Sequence, residues 1–437
     1  MKGLWITQRA AWAVRGSEQV RRGVRVARSI ALIVVMGLAL LRFDTPPRTD
    51  LSASLDRALG VPQFDFVSWW LGAVSAKLSA EAVPLHRHLT EAQQSEYVRE
   101  YLERLEAFRA LEAQVEAIYT DPKHRDPELA STALRAQRDA LRAELDARQT
   151  LVESILQAQI ESVLREEGFA VGGQVFPPLR FRFTAPPDLL VISRRDRIMR
   201  IDSRALAPGL TVDEKDRLER RVDGQFNVSS LVVRLGGLAA YPTMIAESTS
   251  LQWLVEVAAH EWVHNYLAAT LSWVGLSILS DPVALTINET AANIVGKEVA
   301  PRVLRRYYPE SVAELAADAR AEVRQPQPKF DFRKEMRETR LRVDALLEAG
   351  QIEEAEAYME ERRRLFVANG YPIRKLNQAY FAFHGAYNDE PGGAPAAGRD
   401  PVGPAVQALR QRSASLGEFL RTVASLRSFE DLQARLR

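Results

Sequence analysis

No cysteine occurs in the 437 residues of the chain. Disulfides, thiolate nucleophiles and Cys-ligated zinc are therefore excluded, and a metal would have to be held by His or carboxylate. Histidine is scarce as well, with six in all, so two of them at a meaningful spacing carry weight. Net charge is almost absent: 58 Lys and Arg against 57 Asp and Glu leave +1. No basic field is available to hold nucleic acid, and none is expected as a partner. A long apolar run is missing at the N-terminus too. Ser29–Leu41 (SIALIVVMGLALL) has 13 residues, against about 20 for a spanning helix.

That short run follows Lys2, Arg9, Arg15, Arg21, Arg22, Arg25 and Arg28, with Glu18 as the single acid among them. A cation excess ahead of an apolar segment predicts a cytoplasmic N-terminus and the remainder outside the cell. Two forms fit: an uncleaved membrane anchor whose flanking arginines snorkel, or the apolar part of a cleaved signal, which would leave the protein secreted. Phe43-Asp44-Thr45-Pro46-Pro47 reads as the exit linker. Absence of cysteine suits an oxidising exterior.

The chemistry concentrates in Val257–Ala268, which contains His260-Glu261-Trp262-Val263-His264. Positions i and i+4 of a helix share a face, so the two imidazoles can grip one Zn²⁺ while Glu261 reaches metal-bound water. A catalytic zinc takes three protein ligands and keeps one position open. Glu289, in Asn288-Glu289-Thr290-Ala291-Ala292-Asn293, lies 25 residues after His264. That distance lets one helix end, Pro282 mark a break, and a second helix return alongside. Asn293 falls on the Glu289 face and could accept the second N–H of His260 or His264.

These residues resemble the gluzincin metallopeptidases, whose pattern is HExxH followed by a Glu ligand in an N-E-x-x-[SA]-[DN]-like stretch. The resemblance implies His260, His264 and Glu289 as zinc ligands, Glu261 as catalytic base and Asn293 as the acceptor behind a ligating His. Many members have Asp at that last position, which polarises the imidazole more strongly than Asn. In the family, a strand just upstream of the zinc helix pairs with extended substrate. Gly236, Gly237, Leu238 and Ala239, within Gly236–Tyr241, stand in that place; an ordinary hairpin bend reads the same way. Leu376–Tyr387 (LNQAYFAFHGAY) loosely resembles a segment of bacterial putative aminopeptidases. Tyr380 and His384, at i and i+4, are candidates there for stabilising the oxyanion, with Tyr387 a third. A core helix with aromatic packing fits the same letters. Exopeptidase action needs an acid for the substrate amine, and Glu247 and Glu256 lie near enough in sequence.

Elsewhere the patterns are structural. Thr90–Gly168 reads as two long helices turning at Asp121-Pro122 and Asp126-Pro127. Phe176–Phe183, Leu189–Ser193, Ile198–Ser203 and Val228–Val233 alternate as strands. Phe332–Asn369 reads as two helices joined at Gly350, and Val402–Arg437 ends in amphipathic helix. His86 and His88 could share a metal only on a strand; a polar loop after Pro84 is the simpler reading. The fold expected is α+β, mostly helical: a thermolysin-like zincin domain preceded by a long antiparallel helical hairpin. Its divisions are 1–50 (basic N-terminus and anchor), 51–168 (hairpin), 169–325 (catalytic core) and 326–437 (helices completing the site). The expected function is hydrolysis of peptide or protein substrates with Zn²⁺, on the outer face of a membrane. Two alternatives stand beside it. One is a zinc-stabilised scaffold without catalysis. The other is an intramembrane metalloprotease, suggested by the nearly uncharged Leu267–Leu279, although Asp281-Pro282-Val283 is a poor match to that family's L-D-G ligand.

Overall fold

The computed structural model describes residues 50–120, 126–278, 280–313, 330–386 and 400–437. The basic N-terminus with Ser29–Leu41, and Tyr387, lie outside the described residues. The protein is α+β and mostly helical, with small sheets. Among the described residues no helix is long and apolar enough to cross a membrane.

Two helices lead in, α1 (Asp50–Ala58) and α2 (Phe66–Ala82), followed by a 3-10 turn at Leu85–His88. His86 and His88 therefore sit on a tight turn, not a strand. The hairpin follows as α3 (Glu91–Thr120), a short α4 (Pro127–Ala130) and α5 (Thr132–Glu166). Thr90 and Gln93 exchange bonds at the start of α3: the Gln93 N–H donates to Thr90 Oγ1, and the Thr90 N–H donates to Gln93 Oε1. This reciprocal cap satisfies two otherwise orphaned donors. The two long helices run antiparallel, as the ion pairs Arg138–Glu112, Arg104–Glu144 and Arg148–Glu100 show by their opposed numbering. Such exposed pairs stabilise little. The seam is held instead by Val98, Tyr101 and Leu105 against Leu145, Val152 and Ile155, all buried.

Strand alternation is plain in the sheet β5–β4–β6, formed by β4 (Asp188–Ser193), β5 (Arg200–Leu206) and β6 (Ser229–Arg234), all antiparallel. Leu190, Ile192 and Val232 face α1 and α6 (Val212–Phe226), while Leu189, Val191, Leu231 and Val233 face the opposite way. The expected strand Phe176–Phe183 is shorter than its pattern. Pro177 and Pro178 lack ladder donors and confine regular structure to β2 (Gln174–Val175) and β3 (Phe181–Phe183); β1 (Ala170–Val171) pairs with β2.

A second sheet has the order β3–β8–β7, with β7 (Gly237–Leu238) and β8 (Thr243–Ile245) antiparallel and β7 at its edge. Gly236–Tyr241 thus contributes only two strand residues. The chain turns at once, with the Ala240 N–H donating to the Leu238 carbonyl at 2.7 Å.

Helix α7 (Leu251–Ala269), capped by Ser250, and α9 (Pro282–Tyr307), capped by Asp281 with Pro282 in its first turn, are joined by the short α8 (Trp273–Leu276). Pro282 opens α9 because its missing N–H would be unpaired there anyway. α10 (Phe332–Glu348) and α11 (Ile352–Ala368) meet at Gly350, whose φ of +75° suits glycine. α12 (Gln378–His384) follows. The final amphipathic stretch resolves into three helices: α13 (Val402–Arg412), α14 (Leu416–Ser425) and α15 (Phe429–Arg435). Ser415 and Ser428 each accept a backbone N–H and restart the chain. One apolar cluster unites residues of α3, α5, α7, α9 and α13–α15.

The approach of α7 to α9 is set by Gly296, where an added Cβ would lie 2.7 Å from the Glu256 carbonyl oxygen. Gly296→Val should therefore lower the stability of the protein by about 1–3 kcal/mol, read as a reduced denaturation midpoint. An unchanged midpoint would show that the helices separate at no cost.

Candidate metal centre

Helix α7 carries His260, Glu261 and His264 in succession because its sequence Leu251–Ala269 has neither Gly nor Pro to interrupt it. Helix α9 returns beside it and brings Glu289. The Nε2 atoms of His260 and His264 are 3.0 Å apart. Glu289 Oε2 is 3.4 Å from the first and 3.6 Å from the second. A tetrahedral cation with bonds of about 2.0–2.1 Å would hold its ligand atoms roughly 3.3–3.4 Å apart. The triangle has that size. Glu261 also lies in the cluster, with ligand atoms within 4.8 Å of both imidazoles, but Glu289 is nearer to each.

Glu289 Oε2 is buried and has no hydrogen-bond partner. A carboxylate oxygen left in that state is costly. The imidazole Nε2 atoms face it and would compensate it through a shared cation. Asn288 shows this for His264: its Nδ2 donates to the Val274 carbonyl at 3.1 Å, so its Oδ1 must be the atom facing His264 Nδ1, at 2.5 Å. His264 therefore carries its proton on Nδ1, and the Nε2 lone pair points into the triangle. The residues present fit a tetrahedral divalent cation with His₂Glu ligation and one open position.

The acceptor behind His264 is thus Asn288, so of the two imidazoles offered to Asn293 by the sequence reading His264 is already served. Asn293 lies one turn beyond Glu289 on α9, half-buried, which leaves it only His260 to serve. The signal for Asn288 was its position directly before the ligand Glu. Adjacent helical residues point about 100° apart, so spacing on one face passed it over.

Glu261 is 6% exposed. Burial, reinforced by the charge of Glu289 and partly opposed by His264, pushes its carboxyl up to about 7. Glu289 goes the other way. Burial alone would raise it, but His264, His260 and Arg200 together hold it below the usual carboxylate range. Two neighbouring carboxyls are thus pushed apart by their surroundings.

Strand β7 lies against Glu261. An added Cβ at Gly237 would come within 2.5 Å of Glu261 Oε1, and one at Gly236 within 2.8 Å of the Trp253 ring. Both glycines let the edge strand settle onto α7. Leu238 and Ala239 follow, half-buried.

Helix α12 packs across the sheet β5–β4–β6. Its Tyr380 and Phe383 join the apolar patch of Val191 and Leu231, and the rings of Tyr380 and His384 are 4.2 Å apart. Tyr380 also stacks edge-on against Phe381, and His384 against Phe383. Burial raises the Tyr380 phenol to about 12 and lowers His384 to about 4, so both are neutral near pH 7. The Glu247 carboxylate is already engaged by Arg142, at 2.9 and 3.1 Å, and by the Tyr101 hydroxyl at 2.8 Å. Its charge is thus met within the hairpin, which argues against Glu247 as a binder of substrate amines.

Asn288→Ala should weaken divalent-cation affinity by about 10–100-fold, measured by competition with a chromophoric chelator; parental affinity would show that Asn288 orients nothing. In Gly237→Ala the methyl and Glu261 cannot both keep their places. Displaced Glu261 density in a crystal structure of that variant is expected, and an unmoved side chain would contradict the contact.

Comparison with protein-family models, with curated proteins and with solved structures found no match to the chain.

Proposed function

We propose that the protein is a zinc-dependent metallopeptidase of gluzincin type, with a thermolysin-like arrangement of its two ligand helices. The observation that carries this reading is the triangle of His260, His264 and Glu289, with the orphaned Glu289 oxygen at one corner. Zinc, when bound in such a site, polarises a carbonyl and lowers the pKa of water to about 7.

The chain's own residues would do the rest. Glu261, raised towards neutrality by burial, is suited to take a proton from the attacking water and return it to the leaving amine. β7, paired with β8 on one side only, offers its free edge to an extended peptide beside Glu261. Backbone pairing of that kind fixes the scissile carbonyl without demanding a particular side chain. Of the two candidate donors on α12, Tyr380 is favoured for the oxyanion, because its phenol stays protonated through the neutral range. Ser29–Leu41, preceded by its arginines, would hold the enzyme at the outer face of the membrane.

The test combines metal analysis with hydrolysis of a broad peptide library. Parental protein is expected to carry one zinc per chain and to cleave peptides, and chelation should abolish cleavage until zinc is restored. Glu261→Gln should keep the metal and lose activity by about 10²–10⁴-fold. Undiminished cleavage by Glu261→Gln would overturn the mechanism. Stoichiometric zinc with no cleavage by the parent would favour a structural metal in a scaffold.

A further inference from the structure

A crevice of about 370 Å³ opens between α2, the 3-10 turn and α5, and none of its lining comes from α7 or α9. Its chemistry is carried by Lys77, Glu81, His86, Arg87, Arg165 and Arg180. Most of the acidic charge there is already engaged. Arg180 donates to Glu81 at 2.7 Å and to Glu161 at 2.9 Å, and Lys77 is paired with the buried Glu153.

Three groups remain. His86 Nδ1 is buried without a hydrogen-bond partner. Arg87 and Arg165 are exposed, and neither guanidinium has a hydrogen bond or ion pair among the described residues. The crevice has a positive interior: beyond the effect of burial, Arg87 and Arg180 both disfavour protonation of His86.

We propose that this crevice binds a phosphate group, held between Arg87 and Arg165 with His86 behind. Each guanidinium presents a planar fork of N–H donors. One fork already satisfies a flat carboxylate, whereas the tetrahedral oxygens of a phosphate can accept from both forks and the imidazole together. The volume lies within the range of small-molecule sites. Two sources share this chemistry, a free phosphate ester and a phospholipid headgroup. The second has its own support in Val83 and Leu85, 61% and 54% exposed on either side of Pro84 in the crevice wall.

The test uses the full chain and two probes. Inorganic phosphate is titrated at constant ionic strength, with chloride as the balancing anion, and thermal unfolding is followed. Separately, co-sedimentation is measured with vesicles of phosphatidylglycerol in phosphatidylcholine and with phosphatidylcholine alone. Parental protein should respond saturably to at least one probe. Arg87→Gln/Arg165→Gln, whose side chains are exposed, should unfold as the parent does without ligand and respond at least about tenfold more weakly. Arg87→Lys/Arg165→Lys keeps the charges and loses the forks, and should fall between them. A response to phosphate identifies the free ester; a response confined to phosphatidylglycerol vesicles identifies the headgroup. Equal responses from parent and Gln variant to both probes, or none from the parent to either, would overturn the assignment.

Discussion

An added Cβ at Gly296 would sit 2.7 Å from the Glu256 carbonyl oxygen, and that lack of space governs the centre of the protein. Helices packed through ordinary side chains stand about 8–10 Å apart; at this crossing the glycine lets the α9 backbone approach that of α7 where a side chain would not fit. On the same helix pair Glu289, at the buried face of α9, reaches the two imidazoles one turn apart on α7. Glu256 lies four residues before His260 and Gly296 seven after Glu289, so the contact and the ligands belong to one stretch of the same helix pair.

Around this pair the rest of the molecule acts as a mould. Trp262 and Val263, facing away from the ligands, are buried, and the Trp262 indole donates to the Pro177 carbonyl at 2.8 Å. Asn265 fixes the turn after β7 by donating to the Ala240 carbonyl and to Thr243 Oγ1. The hairpin grips the same region from outside, through Tyr101 and Arg142 on Glu247 and through Arg109 on the Glu247 carbonyl at 2.7 Å. These bonds are worth more as geometry than as energy, since partly exposed ion pairs add little. They keep the strand, the Ser250 cap and the helix in one register.

Legibility in the sequence follows the range of the interaction. Helix pairs with 3–4 periodicity and a Pro or Gly break between them, such as α3 with α5 and α10 with α11, were readable because every cue is local. The prolines at 177 and 178 foretold a break but not how short the flanking strands would be. Strand length depends on the partner, and β3 pairs with β8 62 residues later. Ser415 and Ser428 were visible cap residues inside an amphipathic run, yet the run read as continuous because its apolar face is continuous. At the site, His260, His264 and Glu289 were legible from spacing. Asn288 was not, because its role depends on the Val274 carbonyl, supplied by another element.

By itself, the sequence determined which atoms are available: no sulfur ligand, six imidazoles, and two of these one helical turn apart with a carboxylate 25 residues on. It determined helix boundaries wherever caps and periodicity agree. Only the tertiary structure decided which amide orients His264 and that Gly237 leaves room for Glu261. Those outcomes depend on distances between elements far apart in the chain, and such distances are fixed by packing, which no local pattern encodes.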